Sequence, residues 1–174
     1  MKLLIASDIH GSAKYCRMLL DAFAASGARR LVLLGDLLYH GPRNDLPEEY
    51  APKQVITMLN GVKDALLCVR GNCEAEVDQM VLEFPVLSDS LTIFDGTNTI
   101  FCTHGHVYGP EHLPPLKRGD ILLTGHTHVP HDFTADGIRC LNPGSVSIPK
   151  GGSGRGYLLL EDGKFSYHNL ESIG

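Results

Sequence analysis

A chain of 174 residues with 43% hydrophobic and 20% charged residues has the composition of one globular domain, expected over residues 1–174, and not of a disordered chain. Its net charge of −5 is spread without a basic block, which excludes long nucleic acid as the expected partner, because sequence-independent binding relies on clustered Lys and Arg. The five cysteines (Cys16, Cys68, Cys73, Cys102, Cys140) show no C-x-x-C spacing, no apolar run reaches membrane-spanning length, and "MKLLIASD" is too short for a signal-peptide core, so a cytoplasmic chain without a membrane partner is expected.

In chain order, "KLLIA" (2–6) reads as a short buried strand. Residues 12–26 have apolar side chains at helical spacing, with Ser12 placed to cap the first turn and Gly27 to end the last. A second strand (30–34), a second helix (52–62) and a third strand, "ALLCV" (65–69), follow. Between 39 and 53 lies a loop with three prolines and no periodicity, long enough to line a binding site. The second half reads as strands at 91–96, 99–105, 120–126, 132–137, 138–145, 157–163 and 164–170, and "ADG" and "EDG" signal hairpins. The pattern is α/β at the front and mainly antiparallel at the back, which two packed sheets with helices outside would satisfy.

Five predicted strands end in side chains able to hold a metal: Asp8 and His10, Asp36, Asn72, His104, and His126 with His128. Any one of these motifs alone is more often a turn or a hydrogen-bonded histidine. "DIH" and "HTH" say more, since each places two ligands on one side of an extended segment. Strand ends of this kind converge in α/β sheets. Two Asp, four His and one Asn make a mixed O and N set without thiolate, suited to borderline ions such as manganese, iron, zinc, nickel or cobalt. Seven ligands exceed one four-coordinate ion but suit two ions sharing a carboxylate, a device that hydrolyses phosphate esters by in-line displacement.

The motifs "DIH" (8–10), "GD" (35–36), "GNCE" (71–74), "THGH" (103–106) and "GHTH" (125–128) resemble those of the calcineurin-like metallophosphoesterases. The closing "NPGSVSIPKGG" (142–152) is similar to small bacterial members. The resemblance implies an αββα sandwich of two mixed sheets flanked by helices and a metal-dependent phosphodiesterase. It implies Asp8, His10 and His128 around one ion, Asn72, His104 and His126 around the other, and Asp36 bridging, with manganese the favoured ion. A bridging water or hydroxide would be the nucleophile. Two divalent ions, two Asp carboxylates, a hydroxide and a monoanionic diester come close to neutrality, so the charge leans toward a small phosphodiester substrate.

Cys73 departs from the family pattern, standing where many relatives carry His. A thiol is a weak proton donor, so good leaving groups or a second donor such as His106 are expected. Arg43 and Asn44, with His40, are candidates for substrate contact from the long loop, and Cys73 is a candidate at the substrate's edge. His112, His131 and His168 carry no pattern, and "KGGSGRG" (150–156) precedes a strand, so a turn is expected there and not a phosphate loop. Two other functions remain open at this level. One is a catalytically inactive interaction scaffold, which would show a lost ligand; the other is a hydrolase using Cys73 as nucleophile. Apolar strand edges also allow a homo-oligomer.

Overall fold

The computed structural model describes residues 1–172, so the last two residues of the expected domain lie outside the described residues. Two five-stranded sheets pack face to face. The first sheet is built from β1 (Lys2–Ala6), β2 (Arg30–Leu33), β3 (Leu66–Cys68), β9 (Gly156–Glu161) and β10 (Lys164–Asn169), in the order β10-β9-β1-β2-β3. Within it β1, β2 and β3 run parallel, and β9 and β10 close the edge antiparallel. The second contains β4 (Ser90–Phe94), β5 (Thr99–Thr103), β6 (Ile121–Leu123), β7 (His131–Ala135) and β8 (Ile138–Asn142), in the order β4-β5-β6-β8-β7. Its centre, β5-β6-β8, is parallel, with an antiparallel hairpin at each edge.

Between the sheets Leu3, Ile5, Val32, Leu34, Ile100, Ile121, Leu123 and Leu141 form one core. A second core lies under helix α1 (Ala13–Ser26) and helix α2 (Pro52–Asn60), where Leu19, Val55 and Leu59 meet Leu4, Leu31 and Leu33 of the opposite sheet face. The continuous apolar pattern of β1 and β2 follows from this double burial. Ser12 accepts from the Tyr15 N–H at the start of α1, and Gly27 ends it in the left-handed region. A one-turn helix, α3 (Glu76–Gln79), follows the third loop.

The two mixed sheets agree with what the family resemblance implies, whereas the parallel β5-β6-β8 centre departs from the mainly antiparallel second half expected from the residue pattern. The helices, however, all lie with the first sheet among the described residues. The outer face of the second sheet is covered by the irregular segment after β5, where Leu113 and Leu116 pack on Leu122, Ile138 and Cys140. Three prolines there (Pro110, Pro114, Pro115) explain why no helix forms. Both predicted hairpins are present, with Asp136-Gly137 and Asp162-Gly163 at positive φ as a tight two-residue turn requires. Among the described residues no helix is long and apolar enough to cross a membrane. All five cysteines are free, and four are buried.

Candidate metal centre

The loops after β1, β2 and β3 in one sheet meet those after β5, β6 and β8 in the other, at the carboxyl ends of all six strands. Asp8 (φ 59°), His10 (48°), Asp36 (56°), His126 (65°) and His128 (60°) all adopt left-handed backbone there. That conformation costs a non-glycine residue about 1–2 kcal/mol, so the surroundings must hold it. The first two loops are zipped together: the N–H of Asp8 donates to the Gly35 carbonyl (3.1 Å), that of His10 to Asp36 (2.9 Å) and that of Gly11 to Leu37 (2.8 Å). Ser145 and Ser147 hydroxyls both donate to the Asp8 carbonyl, at 2.8 and 3.1 Å. Asn142 Nδ2 donates to the Gly125 carbonyl at 2.7 Å. Packing this close needs glycine. A Cβ at Gly71 would stand 2.1 Å from Asp36 Oδ1, and one at Gly125 1.9 Å from Ser7 Oγ.

Three buried imidazoles are oriented by backbone. The Nδ1 atoms of His10, His104 and His128 lie 2.7, 2.6 and 2.6 Å from the carbonyls of Tyr39, Leu34 and Ile148. A carbonyl only accepts, so each ring carries its proton on Nδ1 and turns the Nε2 lone pair inward, as second-shell partners of metal-bound histidines do. His10 and His128 present Nε2 to each other at 3.2 Å. Asp8 Oδ1 faces both, at 3.5 and 3.2 Å, and is buried with no oriented donor. Two lone pairs and a carboxylate sharing one buried space need a cation between them.

On the other side Asp36 Oδ2 lies 3.4 Å from His104 Nε2 and 3.7 Å from His10 Nε2. It thus stands between a histidine of either cluster. Asn72 Oδ1 is 3.0 Å from His104 Nε2. Three sets of ligand atoms lie within 4.8 Å of one another: Asp8-His10-His128, Asp8-Asp36-His104 and His10-Asp36-Cys73. His126 is in none of them. Its N–H donates to Asp8 Oδ2 (3.0 Å), while its half-buried ring packs 5.1 Å from that of His104. The donor chemistry fits two borderline divalent ions without Cys73.

The charges agree. Burial opposes ionisation of Asp8, but His10 and His128 outweigh it and hold the carboxyl well below the usual range. Burial likewise opposes Asp36, and His104 brings it down. Burial disfavours the charged form of His104, yet Asp36 and Asp8 raise it to about 9. Without metal, protons take the place of cations.

Glu74 is the residue whose part sequence reasoning missed. Buried beneath the centre, its carboxylate accepts from the N–H groups of Asp36 (2.9 Å), Leu37 (2.7 Å) and Gly71 (2.5 Å), binding the second and third loops into one unit. The signal was an acidic residue directly after the turn. Lys150 was missed as well: it lines the cleft over the centre together with Gly41, Arg43, Asn44, Asn72, Cys73 and His126. The long loop thus brings Arg43 and Asn44 to the cleft. His40 instead packs edge-on to Tyr39 and Tyr50. His106 is exposed beside His104, 5.4 Å between ring centroids, and does not line that cleft. Cys73 lies against Asp36, its N–H donating to Oδ1 (2.9 Å), and burial followed by the Asp36 charge pushes its thiol far up. That leaves it a poor thiolate nucleophile.

The calcineurin-like phosphoesterase superfamily domain matches residues 1–163. Phosphodiesterase YfcE of Escherichia coli K12 is 51% identical over 162 residues, covering 93% of this chain and 88% of the relative. The solved structure of this E. coli phosphoesterase superposes with a TM-score of 0.97 at 48% identity, over 100% of this chain and 96% of that one. A probable metallophosphoesterase of Bacillus subtilis, YsnB, is 25% identical over 92% of this chain and 83% of its own length.

Proposed function

Because this chain belongs to the calcineurin-like phosphoesterase superfamily and is a homologue of a bacterial phosphodiesterase, we propose that it hydrolyses small phosphodiesters at a dinuclear divalent-metal centre. The observation that carries this reading is the pair of adjoining buried His/Asp clusters, which share Asp8 and between whose histidines, His10 and His104, Asp36 stands. Asp8, His10 and His128 would hold one ion, Asn72, His104 and His126 the other, and Asp36 both. We favour manganese among the borderline divalent ions that an O and N set without thiolate admits. Such ions supply Lewis acidity, polarising the phosphoryl oxygens and lowering the pKa of the water that attacks phosphorus.

The chain's own residues do the rest. The backbone carbonyls behind His10, His104 and His128 fix which ring nitrogen faces inward. Asn72 adds an oxygen without adding charge. Arg43 and Lys150 on the cleft wall offset the phosphate oxygens that turn to solvent, with Asn44 beside them. Cys73 takes the place of a stronger proton donor and biases the enzyme toward good leaving groups, and His106, outside the cleft beside His104, is the alternative donor. The exposed apolar side chains around α3, Val77, Met80 and Val81, supply the surface on which a homo-oligomer would form.

The test is hydrolysis of bis(p-nitrophenyl) phosphate before and after chelation. Activity should vanish with the metal and return with manganese. Turnover that ignores chelators, or that no divalent ion supports, would count against the reading.

A further inference from the structure

A second groove opens beside the metal centre, spanning about 900 Å³ including the solvent at its mouth. Gly105 and Thr127 line it from the two ligand-bearing turns: Gly105 lies between His104 and His106, and Thr127 between His126 and His128. Its outer wall is Val107, Pro110, His131 and Phe133. Val107 and Phe133 are 58% and 45% exposed, an unusual use of large apolar side chains next to a charged centre. The rings of His131 and Phe133 pack with centroids 5.0 Å apart, giving one wall an aromatic surface.

The two openings differ in charge. Arg43 and Lys150 line the cleft, whereas no Lys or Arg lines the groove, where Glu111 is the charged neighbour. An anionic extension of a substrate is attracted by the first and repelled by the second. A phosphodiester has two ester arms, and the phosphorus-bound oxygens hold the reacting centre at the metals while each arm must leave in some direction.

We propose that this groove seats one ester arm of the substrate, and that the arm is a neutral aromatic alcohol. The proposal rests on the phosphodiesterase reading and adds to it a substrate class: diesters with at least one uncharged, planar, apolar arm, in preference to those whose arms carry further phosphate. Gly105 and Thr127, each next in sequence to candidate metal ligands, distinguish this surface from the exposed side chains around α3, whose neighbouring pocket contains none of the candidate metal ligands.

The test compares two uncleavable monoanions of equal charge, diphenylphosphinate and dimethylphosphinate, binding to the full manganese-loaded chain by calorimetry. The phenyl compound should bind at least about tenfold more tightly, in line with what apolar pockets discriminate. Phe133→Ala and Val107→Ser should each cut that advantage to about threefold or less, leaving the methyl compound within about twofold of the parent. Both side chains are exposed, so neither change threatens folding. No phenyl preference in the parent, or an undiminished preference in both variants, overturns the proposal. So does a change in sedimentation mass with selectivity intact, which would give the groove to a second copy of the chain. Absence of chelator-sensitive hydrolysis strikes the phosphodiesterase reading instead, and the calorimetric comparison remains readable without it.

Discussion

His10 and His128, 118 residues apart in sequence, bring their Nε2 atoms to 3.2 Å of each other with Asp8 Oδ1 buried between them. Each ring already donates its Nδ1–H in a hydrogen bond to a carbonyl, which leaves the Nε2 lone pair facing inward. Three electron-rich atoms enclosed together form an unstable arrangement unless a cation joins them. Manganese should therefore stabilise the fold. At a hundredfold excess over Kd, one site adds about 2.7 kcal/mol, or roughly 5–10 °C in melting temperature for a chain this long. A melting temperature indifferent to manganese and to chelator would mean that this space holds no ion.

The metal-free protein should show a definite pH profile. His104 has its folded pKa raised from 6.5 to about 9, so its contribution is complete below pH 6.5 and is lost as pH rises through 9. Asp36 is lowered from 3.8, so its contribution is present above that value and is lost as pH falls below it. Thermal unfolding of chelated protein should thus weaken on both sides of a window between about pH 4 and 6.5. Added manganese should remove the loss on the alkaline side, because the ions replace the protons. Parallel alkaline profiles with and without metal would show that His104 does not face a metal.

Glu74 holds three N–H groups, two of them in the loop that carries Asp36. Glu74→Ala leaves them unpaired in a buried place and should cost roughly 3–5 kcal/mol in urea unfolding. Glu74→Gln keeps one acceptor and should cost roughly 1–2 kcal/mol. An undiminished stability of Glu74→Gln beside a full loss in Glu74→Ala would show that the side chain matters for its volume and not for its carboxylate bonds.

A methyl group at Gly71 would overlap Asp36 Oδ1. Gly71→Ala should therefore displace the shared carboxylate and lower diesterase activity by about a hundredfold or more, in protein that still folds by circular dichroism. Full activity would place the centre elsewhere.

Cys73→His should retain both metals and raise turnover of diesters with poor leaving groups by about tenfold or more, with little change for p-nitrophenolate. Iodoacetamide should react with Cys73 of the chelated protein no faster at pH 8 than with a buried thiol, since burial and Asp36 keep the thiol protonated. Alkylation that abolishes turnover while chelators leave it intact would restore the cysteine-nucleophile reading.

Much of this was legible because it is local. The cap Ser12, the stop Gly27, the hairpin turns at Asp136 and Asp162 and the continuous apolar strands all announce themselves within a few residues. The ligand types stood at strand ends, where parallel strands gather them. What stayed hidden depends on distant partners. Ser145 and Ser147 reach the Asp8 carbonyl from 137 and 139 residues away, and nothing near either serine marks it as a support for that strained turn. Lys150 lines the cleft from a turn whose position is tied to a distant one, its N–H donating to the His128 carbonyl at 3.1 Å. The parallel centre of the second sheet was equally invisible, because proline-rich coil and not a helix makes the crossover from β5 to β6.

The most direct measurement is anomalous diffraction from a crystal soaked in manganese. Two peaks about 3.5–4 Å apart should appear, one among Asp8, His10 and His128, the other among Asn72, His104 and His126, with Asp36 reaching both. A single peak, or peaks that Asp36 does not join, would contradict the dinuclear centre.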